Sequence, residues 1–219
     1  MELKISDEVR ALCPGAALGV LFYRAEVSES PQALLDKFDD AQRALGERYT
    51  LETIADIPHI SSTRDAYRAL GKSPHEYRNA AEAMLRRIVK GSGLYRINNV
   101  VDVNNLISVS SGYSIGSYDV SDLSGAVTLH RAQEGSHYDG IGKESVNIGR
   151  LPVLYDALGP FGNPSSDSRR AMIRPGRRDV MSVVYSFDGD AGLREWLPQF
   201  AALLGKYSGA SEPDIKYIL

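Results

Sequence analysis

The chain is 219 residues long, 43% hydrophobic and 24% charged, with a formal net charge of −3. That make-up supplies a sizeable core and excludes wholesale disorder and a uniformly basic nucleic-acid binder, so any RNA contact has to come from a local patch. A single cysteine, Cys13, excludes an internal disulfide framework and an all-cysteine zinc site, and no apolar run reaches the length of a bilayer span.

The opening Met1-Glu2-Leu3-Lys4 lacks the apolar segment of a signal peptide, and a cytoplasmic location is expected. Residues 16–23 read as a short buried strand after Pro14-Gly15. Ser30-Pro31 opens a helix to about Leu45, with Leu34, Leu35, Phe38, Ala41 and Leu45 at helical spacing. A short helix is predicted over 63–70, ended by Gly71. Ser73, Pro74 and Glu76 form a capping-box pattern that predicts a third helix running to Lys90 and stopped by Gly91. Arg86, Arg87 and Lys90 fall in its last turn, where they complement the helix dipole or contact RNA. Residues 99–111 predict another helix, closed by Gly112. Strands follow over 126–131, 151–155 and 178–187, separated by a turn region with glycines at 135, 140 and 142. Asp190 is placed to cap a final helix over 191–204, with Leu193, Trp196, Leu197, Phe200 and Leu204 inward. Helices dominate the first half and strands the second, so the fold class is α+β, as one domain over 1–219 with a mixed-sheet core flanked by helices.

Most chemistry-bearing motifs are missing. No Walker-type phosphate loop, dinucleotide-binding glycine pattern, zinc-protease helix or serine elbow occurs, and the four histidines are scattered. Neither a metal nor another cofactor is expected.

Two segments stand out. In Ile97-Asn98-Asn99-Val100-Val101-Asp102-Val103-Asn104-Asn105, amides interrupt an apolar run. Asn is poor inside helices and strands because its amide competes for backbone hydrogen bonds, so these residues either cap and satisfy nearby backbone or serve a specific polar task. The second segment is the turn-rich Gly162-Asn163-Pro164-Ser165-Ser166-Asp167-Ser168, followed by Arg169, Arg170, Arg174, Arg177 and Arg178 with Asp179 opposing them. Guanidinium suits phosphate through its planar fork of donors, and a charged edge strand is the alternative account.

These residues resemble the B3/B4 editing domain of the phenylalanyl-tRNA synthetase beta subunit. Residues 97–119 carry the resemblance, through Ile97 to Val103, Asn105, Gly112 and the pair Tyr118-Asp119. Tyr67-Arg68, Tyr77-Arg78, Glu82-Ala83, Lys90-Gly91, Gly116-Ser117 and the arginine loop are similar to free-standing members of the family, and the resemblance is strongest over 60–187. Nothing resembles a synthetase's ATP-binding core.

The resemblance implies a tRNA-binding, trans-editing protein that hydrolyses the ester of misacylated tRNA in a second pocket. It implies Asn104, Asn105, Gly116 and Ser117 as the catalytic group, with Gly116 where the family carries a histidine, opening room there and offering a backbone N–H. It implies Ala157, Gly159, Phe161 and Gly162 as substrate-pocket residues. Arg169, Arg170, Arg174, Arg177 and Arg178 are the expected tRNA contacts, the partner being the aminoacylated 3′ end, with neither DNA nor a membrane expected. The alternatives are a non-catalytic binder of tRNA or of a free amino acid, and a small-molecule enzyme on a recruited fold.

Overall fold

The computed structural model describes residues 1–211 and 213–219. In chain order the elements are β1 (Leu3–Ile5), α1 (Asp7–Leu12), β2 (Ala17–Val27), α2 (Gln32–Arg48), α3 (Pro58–Ala69), α4 (Ala80–Val89), α5 (Asn99–Ser111) and β3 (Ser114–Asp119). Then come β4 (Val127–Arg131), β5 (His137–Tyr138), β6 (Val146–Asn147), β7 (Pro152–Asp156), β8 (Gly159–Gly162), β9 (Gly176–Ser186), α6 (Ala191–Ser208) and β10 (Asp214–Ile218).

Two sheets organise the molecule. One, in the order β10-β2-β9-β3, is antiparallel throughout; the other, β1-β4-β7-β8, is mixed, with β1 parallel to β4. β2 and β9 pair along their whole length, from Ala17 opposite Ser186 to Val27 opposite Gly176. Side chains alternate across a strand, and over Ala17–Tyr23 and Val180–Ser186 nearly every residue on both faces is buried, which explains why these stretches read as near-continuous apolar runs, whereas Arg24, Glu26, Arg177 and Asp179 are exposed. Leu21, Tyr23, Val180 and Val184 pack with Phe38 of α2, Val103 of α5 and Phe200 of α6. On the other face Leu18, Val20, Met181 and Tyr185 pack with Leu129, Leu154 and Phe161 of the second sheet. Gly19 lets α6 approach closely: a β-carbon there would overlap Leu197. A smaller cluster of Ile54, Ile60, Leu85, Ile88 and Val109 joins α3, α4 and α5.

The capping box at Ser73 is corrected by the structure. Residues 74–77 form a turn, and α4 begins at Ala80 with Asn79 as its cap, its Oδ1 accepting from Glu82 N–H at 2.9 Å. The turn is held from outside: Arg64 donates to the Pro74 carbonyl, and Lys72 Nζ sits 3.6 Å from the Tyr77 ring centroid. Glu82, fully buried, accepts from Arg64 at 3.0 and 2.9 Å and from Arg86 at 2.9 Å, tying α3 to α4. Asp190 makes no cap bond; its carboxylate takes Arg194 Nε at 2.7 Å instead. Helix α3 starts at Pro58, earlier than its apolar spacing suggests, with proline in its first turn. Strands β1, β3, β8 and β10 carry no strong local signal and form because neighbouring strands complete their hydrogen bonds.

Candidate functional site

The amide-rich segment divides into two roles. Asn98 Oδ1 caps α5, accepting from Val100 and Val101 N–H at 3.1 and 2.9 Å, and Gly112 at φ 86° ends it. Asn99 laces the helix to β2 and α6, donating to the carbonyls of Glu26 and Tyr207 at 2.9 and 3.2 Å. Asp102 accepts from Ile97 N–H and the Ser30 hydroxyl at 3.0 and 2.6 Å. These three residues bear out the capping account.

Asn104 and Asn105, one turn on, instead face a cavity of about 260 Å³. Its walls come from α5, α4, β3, the 163–167 loop and the tip of the β5–β6 hairpin. Met84, Val101, Ile115, Ile141 and Met172 supply apolar surface. Pockets for drug-sized ligands run from about 300 to 1,000 Å³, so this one suits a single amino-acid side chain.

Asn104 Nδ2 lies 2.7 Å from Ser117 Oγ, which lies 2.5 Å from Ser182 Oγ, itself 2.8 Å from the Tyr23 hydroxyl. This row of hydroxyls crosses from β3 through β9 to β2, and burial raises the Tyr23 phenol above its ordinary pKa. Asn105, half-buried, makes no side-chain hydrogen bond among the described residues, so its amide is free for a ligand.

The opposite wall is a braced loop. Asn163 Oδ1 accepts from Ser165 and Ser166 N–H at 2.7 and 3.1 Å, and its Nδ2 donates to the Tyr138 hydroxyl at 2.6 Å. Asp167 Oδ1 accepts from the Tyr118 hydroxyl at 2.8 Å and Asn163 N–H at 3.3 Å, while Oδ2 has no hydrogen-bond partner among the described residues. Burial pushes the Asp167 carboxyl up to about 7, against the opposing pull of those two donors. Asp167 was legible only as a turn residue; its environment is built by residues distant in sequence.

Gly116 lies on the opposite face of β3, where a β-carbon would stand 3.0 Å from Asp167 Oδ2. Ile115 and Ser117 point to the cavity, and Gly116 faces the second sheet. A β-carbon there would overlap the Tyr118 hydroxyl, and one at Gly162 would do the same. The room expected at Gly116 is therefore filled by a phenol, which also bonds Tyr185 at 2.8 Å. Phe161 is a core residue set edge-on to Tyr118, with centroids 4.9 Å apart. Ala157 is exposed in the β7–β8 turn, which Gly159 closes at φ 115°. None of the four residues Ala157, Gly159, Phe161 and Gly162 lines the amide cavity.

Three of the arginines are bound into the structure. Arg170 forks onto Asp156 at 2.9 and 3.2 Å, Arg174 meets Asp122 at 3.1 Å, and Arg178 lies 3.6 Å from Asp119. Asp179, the acid adjacent in sequence, pairs with Arg24 across the sheet instead. Arg169 and Arg177 are exposed and meet no carboxylate among the described residues. No group of three or more His, Cys, Asp or Glu suited to a metal occurs among the described residues. No described helix is long and apolar enough to cross a membrane.

The family model for the B3/4 domain matches residues 62–190, more than half of the chain, and the protein belongs to that family. Among solved structures it is similar to an N-terminal fragment of the phenylalanyl-tRNA synthetase beta subunit from Pyrococcus horikoshii, at 10% identity and a TM-score of 0.48. That alignment covers 96% of this chain and 49% of the fragment, so the chain spans about half the fragment's length. No curated protein matches the chain.

Proposed function

We propose that this protein hydrolyses the ester linking a wrongly attached amino acid to the 3′ end of tRNA. The observation that carries this reading is that one cavity, suited to an amino-acid side chain, is lined both by Asn105, whose amide makes no side-chain hydrogen bond among the described residues, and by Asp167, whose Oδ2 lies beside Gly116 with no hydrogen-bond partner among them. An aminoacyl ester is already activated, so the site needs a positioned water, a donor for the developing oxyanion and a shaped side-chain pocket, and no protein nucleophile. Asp167 takes a proton from the water as its oxygen attacks the ester carbonyl. Asn105 Nδ2 donates to the resulting oxyanion. The carbon–oxygen bond to ribose then breaks, the ribose oxygen regains the proton, and free amino acid leaves. A carboxyl titrating near neutrality suits the base role.

Single-turnover deacylation of a panel of misacylated tRNAs tests the reading. Asn105→Ala is expected to slow hydrolysis about 10²- to 10³-fold, the usual loss for an oxyanion donor, while leaving tRNA binding intact. One observation favours a second reading, a non-catalytic binder: the place of the family's implied histidine is held by Gly116 and closed by the Tyr118 phenol. Binding of tRNA or amino acid without turnover of any ester in the panel would establish that second reading.

A further inference from the structure

A larger cleft of about 710 Å³ adjoins the amide cavity, the two sharing Ser165 and Ser166 as a common wall. Its other walls carry Arg86 and Arg87 from α4, Lys90 from its C-terminal cap, Arg78 from the turn before α4, and Lys143 from the β5–β6 hairpin. Glu76 is the one carboxylate among the lining residues. Arg86 is committed to the buried Glu82, and Arg78 stands 3.8 Å from the same carboxylate. Arg87, Lys90 and Lys143 pair with no carboxylate among the described residues, and Lys143 Nζ reaches the shared wall at Ser166 Oγ, 3.2 Å away.

The helix dipole accounts for cations in the last turn of α4, but not for Arg78 or Lys143, which arrive from other elements. Aromatic surface accompanies the charge. Tyr77, half-buried with Lys72 against its ring, lines the cleft, and outside the lining Tyr95, 70% exposed, is carried by Arg87, 4.6 Å from its ring centroid. Cations tracking a groove with exposed aromatic rings are the signature of a single-stranded nucleic-acid path, where charge meets phosphate and rings meet bases. The arginine loop is the weaker candidate, because three of its guanidiniums are held by Asp156, Asp122 and Asp119.

We infer that the cleft between α4 and the β5–β6 hairpin holds the phosphodiester backbone of the single-stranded RNA end whose terminal ester occupies the adjoining cavity. The assignment rests on the hydrolase reading for that ester and adds the path by which the RNA reaches it. A net charge of −3 is compatible with it, since the attraction comes from one groove.

The test is a salt titration of binding to a short single-stranded RNA ending in CCA, read by fluorescence anisotropy, alongside single-turnover deacylation. The paired variant Lys90→Glu and Lys143→Glu changes exposed residues. It is expected to bind at least about tenfold more weakly, with a slope of log affinity against log salt shallower by about 1.4, at about 0.7 for each phosphate no longer neutralised. Lys4→Glu with Lys37→Glu alters net charge equally on other exposed surface and should change neither quantity. Wild-type affinity and slope in the cleft pair would overturn the assignment, as would a loss confined to Arg169→Glu with Arg177→Glu. The outcome for the hydrolase reading is separate. Deacylation by the wild type with an unaffected cleft pair removes the path and keeps the hydrolase. RNA binding through the cleft without deacylation removes the hydrolase and keeps the path. Wild-type protein that binds no RNA and deacylates no tRNA of the panel overturns both, and absence of RNA binding alone overturns the path.

Discussion

The Asp167 carboxyl titrates near neutrality because burial penalises its charge more than the Tyr118 hydroxyl and Asn163 amide relieve it. In the unfolded chain the group loses its proton near 3.8, and in the fold it keeps the proton to about 7. Between those values the folded state binds more protons, so stability from this group falls as pH rises, and the penalty is full above about pH 7. Asp167→Asn keeps an acceptor for Tyr118 and carries no charge. Its melting temperature is expected to exceed that of wild type at about pH 8, with the difference closing below about pH 4, in a thermal-denaturation series across pH. The same variant is expected to lose deacylation, and the wild-type rate should rise through about pH 7 to a plateau as the base ionises. Gly116 is constrained from the other side. Gly116→Ala puts a methyl into the Tyr118 hydroxyl and should destabilise by about 1–3 kcal/mol or more, measured by urea denaturation.

At the scale of elements, legibility followed locality. The spacing of Leu34, Phe38 and Leu45 and the apolar run of β9 are decided by neighbours in sequence, and both elements were predictable from the chain. Helix α5 was bounded correctly because Asn98 and Gly112 are local caps. The start of α4 was not, because Ser73 and Asn79 both offer acceptable caps and only tertiary contacts choose between them. Asn79→Ala should therefore cost about 0.5–2 kcal/mol in chemical denaturation, while Ser73→Ala changes stability little. Arg64→Met should cost about 3–5 kcal/mol, because it strips the fully buried Glu82 of its α3 partner. The site was half visible by the same logic. Asn104 and Asn105 break an apolar pattern that any reader of the chain sees. Asp167 gains its chemistry from Tyr118 and from burial, and the displacement of Gly116 from the cavity follows from strand alternation in β3, which had no strong signal of its own.

Across the whole molecule, the antiparallel sheet separates α2, α5 and α6 from the second sheet, against which α1 and α3 also pack, and the cavity opens on the α5 side at the edge strand β3. The site thus sits where a rigid sheet ends and loops begin, an arrangement that lets a stiff frame hold variable walls. At the opposite margin, β10 lies along β2 from Asp214 beside Phe22 to Ile218 beside Leu18. Chain ends are often treated as dispensable in making smaller versions of a protein. Here, removal of residues 214–218 would strip a row of backbone donors and acceptors on a long apolar strand of their partners, and such a margin recruits another copy of itself. A version ending at residue 213 should run as dimers and larger aggregates in size-exclusion chromatography, with the amide cavity, far across the sheet, left in place.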